Sequence, residues 1–131
     1  MARILLIDDD ADFCGRLQAI FAHAGYGVVV AHTGREGVGC YEAAAIDLVM
    51  TDILLPQQEG LETIIALQRM NPHVKIIALA GSGQTGPMHL LYVAAALGAQ
   101  RMLCKPLTQQ ELLEVVRELT HDADAGTSST S

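Results

Sequence analysis

Acidic residues stand at two points where an apolar run ends. Asp8-Asp9-Asp10 follows Arg3-Ile-Leu-Leu-Ile7, and Asp52 closes the run that begins at Asp47-Leu-Val-Met. If the two runs are neighbouring strands, three or four carboxylates meet in one pocket. Two carboxylates about 4 Å apart repel by about 4 kcal/mol at an effective dielectric near 20. Such a pocket raises a carboxyl pKa or recruits a cation, and oxygen-only ligands at this density suit Mg²⁺. Taken singly, each acid has a plainer reading: Asp8, Asp9 and Asp10 cap the next helix, and Asp52 starts a turn.

The elements that would position these acids alternate. Leu48 to Met50 is too short for a helix and is closed by Pro56, so it reads as a core strand that presents Asp52 at its carboxyl end, where open α/β sheets keep their chemistry. Phe13, Leu17, Ile20, Phe21 and Ala24 fall at helical spacing, with Gly25 placed to end that helix. Val28 to Ala31 is a second strand. Gly34 to Ala45 reads as a helix in spite of Gly37 and Gly39 inside it. Leu61, Ile64, Ile65 and Leu67 form a third helix, stopped by Asn71-Pro72. Val74 to Leu79 is a strand covered on both faces, and a glycine-rich turn, Gly81 to Gly86, leads into a fourth helix ending near Gly98. Gln100 to Cys104 is the fifth strand. Thr108 and Glu111 form a capping box ahead of Leu112, Val115, Val116 and Leu119. The alternation specifies an α/β domain, a parallel sheet wound on both faces, over residues 1–120. The polar, small-residue segment 121–131 reads as a disordered tail.

Composition excludes several function classes. Half of the 131 residues are hydrophobic, which is incompatible with disorder of the body, and the formal charge of −7 leaves no basic footprint for nucleic acid. Cys14, Cys40 and Cys104 are odd in number and widely spaced, so they read as buried inert thiols in a reducing compartment. No leader pattern opens the chain, and the longest low-charge stretch, Met88 to Gln100, is too short to span a bilayer. A cytoplasmic protein with no membrane partner is the expectation. The five histidines lack metal-ligand spacing.

Asp8-Asp9, Asp52 with Pro56 and Gly60 following, and Lys105-Pro106 after the fifth strand together resemble the receiver domain of two-component response regulators, over about residues 2 to 120. The resemblance implies a flavodoxin-like fold with strand order 2-1-3-4-5 and a phosphorylation switch. By position, Asp52 corresponds to the phosphoacceptor, charged by a sensor histidine kinase, a phosphotransfer protein or a small acyl phosphate. Asp8, Asp9, Asp52 and the backbone carbonyl of Leu54 correspond to Mg²⁺ ligands, and Lys105 to the residue that reaches the phosphoryl oxygens. Phosphoryl transfer depends on alignment and neutralised charge, which a metal and a lysine supply. The implied role is signalling by protein contact, not substrate turnover.

Two positions depart from the family pattern. Ala80 stands where a Ser or Thr hydroxyl usually contacts the phosphoryl group, and Met102 where an aromatic usually responds to it. Either Gly81 and Ser82 contact the phosphate instead, or the domain is a degenerate receiver that binds partners without switching. A small Mg²⁺-dependent phosphatase is disfavoured, because Asp52-Ile-Leu lacks a second carboxylate two residues on. Gly81-Ser-Gly-Gln-Thr-Gly86 matches a dinucleotide fingerprint but follows the wrong strand. The fourth helix, Met88 to Leu97, is uncharged and apolar nearly all round, so with the fifth strand and fifth helix, where Leu113 lies off the core stripe, it reads as a surface for a downstream target or for self-association.

Overall fold

A computed structural model describes residues 1–53, 59–81 and 93–128, the last eight of them as backbone. Five strands alternate with helices: β1 (Arg3–Ile7), α1 (Ala11–His23), β2 (Gly27–Ala31), α2 (Gly34–Ala43), β3 (Leu48–Asp52), α3 (Glu59–Met70) and β4 (Ile76–Ala80) come first. A helical stretch at 93–96, designated α4, precedes β5 (Arg101–Cys104) and α5 (Gln109–Ser128). The strands form one parallel sheet in the order β2-β1-β3-β4-β5, the flavodoxin-like arrangement.

The sheet divides two cores by strand alternation. Leu5, Ile7, Val49, Ile76 and Ala78 face one layer, with Ile64 and Leu67 of α3. Ile4, Leu6, Leu48, Met50, Ile77 and Leu79 face the other, with Phe13, Leu17 and Phe21 of α1 and Leu112 and Val116 of α5. Every residue of β3 and β4 is buried, which explains why neither run alternates in polarity.

Local chemistry sets the helix ends. Asp10 caps α1 by accepting from the Phe13 amide, and Gly25 adopts φ +95° just past its last turn. Thr108 and Glu111 form the expected capping box, each side chain accepting from the other's amide at 3.0 Å. Gly37, unfavourable by propensity, sits where α2 crosses the end of β1: a Cβ there would lie 2.7 Å from Ile7 Cγ1. Gly39 meets nothing and has no such role.

One expectation is corrected. The thiols are not uniformly buried, since Cys104 is exposed and Cys40 half-buried; the edge strand β5 leaves alternate side chains in solvent. Of the two readings open for Asp10, the structure takes the helix cap. The helix α5 runs on to Ser128. The glycine-rich turn beyond Gly81 and residues 88–92 of the fourth helix lie outside the described residues. Among the described residues no helix is long and apolar enough to cross a membrane.

Candidate functional site

Strand register brings the acids together. Ile7 pairs with Thr51 in the parallel ladder of β1 and β3, so the next residues, Asp8 and Asp52, stand side by side. The Asp8 amide donates to the Ala31 carbonyl at 3.0 Å, carrying β1 one residue past its end. On the other side, Asp52 pairs with Leu79 and Ala80 with Cys104, and the Lys105 amide donates to the Ala80 carbonyl at 2.8 Å. The lysine therefore leaves β5 level with the two acids. The Lys105-Pro106 peptide is cis.

The resulting cluster holds Asp8, Asp9 and Asp52, each offering an oxygen within 4.8 Å of the others. Asp8 is fully buried and Asp52 nearly so at 6% exposure, whereas Asp9 is exposed. Asp52 is thus sunk in the pocket and does not project from the strand tip. Lys105 Nζ bridges the two buried acids, donating to Asp8 Oδ2 at 2.8 Å and to Asp52 Oδ2 at 3.2 Å. The Asp10 amide donates to Asp8 Oδ1 at 2.9 Å, and Thr51 Oγ1 donates to the Asp52 carbonyl at 3.3 Å. Gly60, at the start of α3, packs against the backbone one residue past Asp52: a Cβ there would lie 2.6 Å from the Ile53 carbonyl carbon and oxygen.

Burial and charge act unequally on the pair. Burial pushes the Asp8 carboxyl up, and the charge of Asp52 adds to it, outweighing the hydrogen bonds from Lys105 and the Asp10 amide. For Lys105 burial pulls down, but the hydrogen bond to Asp8 and the charges of Asp52 and Asp8 prevail, so the ammonium is held above its usual range. The shifts are not mirror images because one cation serves two buried anions. Among the described residues, three carboxylates face one ammonium in a space a few ångströms across, and hard oxygens with that excess of negative charge fit a divalent cation such as Mg²⁺.

Several contacts have no counterpart in the sequence reading. The Phe13 ring lies under Lys105 Nζ, 4.1 Å from its centroid. Cys14 Sγ donates to the Asp8 carbonyl at 3.4 Å, and His32 Nδ1 lies 3.1 Å from the same oxygen. Burial, then the charge of Asp8, push the Cys14 thiol up to about 11, so it is no nucleophile. Phe13 and Cys14 occupy ordinary core positions of an amphipathic helix, and nothing in their spacing marks them as pocket residues. Ala80 is fully buried at the end of β4, and Met102 is 38% exposed on β5. Leu54 and Ser82 lie outside the described residues; Gly81, half-buried, closes β4.

The family model for the response regulator receiver domain matches residues 4–117. The chain belongs to that family. Chemotaxis protein CheY of Thermotoga maritima is 30% identical over 119 residues, covering 90% of this chain and 97% of the relative. Transcriptional regulatory protein CpxR of Escherichia coli is 31% identical over 119 residues, 91% of this chain but 49% of the relative, so this receiver spans about half that protein's length. A solved receiver domain protein from Clostridium thermocellum superposes with a TM-score of 0.86 at 26% identity, covering 95% of this chain and 98% of that one.

Proposed function

We propose that this receiver, residues 1–120, is a Mg²⁺-dependent phosphorylation switch with Asp52 as phosphoacceptor. The observation that carries the reading is one buried carboxylate, Asp52, bridged by Lys105 to a second, Asp8, with Asp9 at the rim. The donor is a phosphohistidine of a sensor kinase or phosphotransfer protein, or a small acyl phosphate, met in the cytoplasm. With the first, an Asp52 oxygen forms a P–O bond as the P–N bond to the donor imidazole breaks. The imidazole leaves with the bonding pair and takes a proton. Asp8, Asp9 and Asp52, with the Leu54 carbonyl, hold Mg²⁺, which when bound supplies charge neutralisation for the incoming phosphoryl oxygens. Lys105 follows the charge onto the phosphoryl group. Gly81 and Ser82 take the place of the hydroxyl that Ala80 lacks. Output is a protein contact made through α4, β5 and α5, and no substrate is turned over.

Intact mass after incubation with acetyl phosphate and Mg²⁺ tests this directly. A single phosphoryl adduct is expected, absent in Asp52→Asn and without metal. The buried methyl of Ala80 favours a second reading, a constitutive interaction module. Absence of any adduct in the wild type, with beryllofluoride also failing to bind, overturns the switch and favours that reading instead.

A further inference from the structure

Lys105 is held by more than its acids. An ammonium has three N–H donors; two go to Asp8 and Asp52, and the Phe13 ring face stands 4.1 Å from the nitrogen, well inside the roughly 6 Å over which a cation is attracted to a ring. Phe13 is only 8% exposed, so the ring replaces water on that side of the charge. Arg16 Cζ lies 5.9 Å from the same ring, a more distant and exposed cation.

The ring's own position is fixed by the loop that carries the acids. The Phe13 amide donates to Asp10 Oδ1 at 3.1 Å, the Asp10 amide donates to Asp8 Oδ1 at 2.9 Å, and Asp8 Oδ2 accepts from Lys105. With the ring contact these bonds close a circuit: carboxylate, cap, ring, ammonium and back to the same carboxylate. The first of these bonds is the cap of α1, so it sets where the helix starts and, with it, where residue 13 stands beside the ammonium. We propose that Phe13 is a positioning residue for the Lys105 ammonium, and that α1, through this ring, registers whether the ammonium lies on the acid pair or on a phosphoryl group. This deepens the reading of Asp52 as phosphoacceptor and rests on it. Ala80 has no hydroxyl and Met102 no ring, and among the described residues the aromatic that meets the charge sits on α1.

The sequence makes the test simple, because it contains only two phenylalanines, Phe13 and Phe21. Phe21 is fully buried, with its ring set edge-on against Tyr26, and serves as reference. The full chain labelled with 4-fluorophenylalanine is expected to give two resonances, assigned by Phe13→Leu. Addition of Mg²⁺ and beryllofluoride is expected to produce the bound fluoride signals and to move the Phe13 resonance while Phe21 stays. Phe13→Leu, which keeps an apolar side chain, is expected to weaken beryllofluoride binding about 5-fold, the size of one cation–ring contact. Phe13→Tyr restores it to within about twofold, and in a Lys105→Ala background Phe13→Leu costs nothing further, which a packing role would not produce. Bound fluoride signals with an unmoved Phe13 resonance, or the same loss in the Lys105→Ala background, overturn the proposal and leave Asp52 standing as acceptor. No bound fluoride in the wild type overturns both.

Discussion

Asp8 is pushed up by burial and by its neighbour Asp52, and only partly relieved by one shared lysine. A carboxyl whose folded pKa lies above its ordinary value near 3.8 contributes stability that is full below that value and lost as pH rises through the folded one. At neutral pH the metal-free chain therefore carries an unfavourable charge. Asp8→Asn keeps the oxygen that accepts from Lys105 and removes that charge. It is expected to stabilise the metal-free chain by about 1 kcal/mol at pH 7, with the advantage vanishing below pH 4, as read by urea unfolding at both pH values; an Asn variant less stable at pH 7 contradicts the argument. The acids themselves were legible in the sequence because carboxylates at two strand ends are rare without a task. The Phe13–Lys105 contact was not, since a phenylalanine on an apolar stripe reads alike whether it covers an alkyl chain or an ammonium. Cys14 is hidden for the same reason. With its thiol at about 11 and buried while Cys104 is exposed, iodoacetamide at pH 8 is expected to label Cys104 in the folded chain and Cys14 only after denaturation, as peptide mass mapping would show.

Elements were legible wherever period and punctuation agreed. The Thr108–Glu111 cap, the Gly25 stop and all five strands fall within two residues of where the pattern puts them. What the pattern could not supply is distance between elements, and the glycines record it. Gly60 touches the backbone of Ile53, one residue past Asp52, so a side chain there must push α3 away from the acid pocket. Gly60→Ala is expected to cost about 2–3 kcal/mol, as overpacking against rigid backbone does. Gly39 also interrupts a helix, but into open space. Gly39→Ala is expected to stabilise by about 0.5–1 kcal/mol through helix propensity. From sequence the two glycines could not be ranked; paired thermal melts rank them, and equal effects would mean that α3 yields freely.

At the scale of the whole molecule the pocket joins the ends of three strands, β1, β3 and, through Lys105, β5, with β4 lying between the last two. The parallel order was implied by the alternation and by the family resemblance, and it is this order that turns residues 97 and 53 positions apart in sequence into hydrogen-bonded partners. A divalent cation that binds there binds only the folded chain, so it stabilises by mass action, about 2.7 kcal/mol at 100 times its Kd. For a domain of this size that is a rise in Tm of roughly 10 °C. The chain's charge of −7 means that any salt also relieves self-repulsion, so the comparison must be made at matched ionic strength. Mg²⁺ is expected to raise Tm well above KCl, and Asp9→Asn to lose most of the difference, since Asp9 is the one acid of the three at the solvent rim. Equal effects of the two salts on the wild type would reduce the acid pocket to part of a general surface charge, and would remove the metal from the switch.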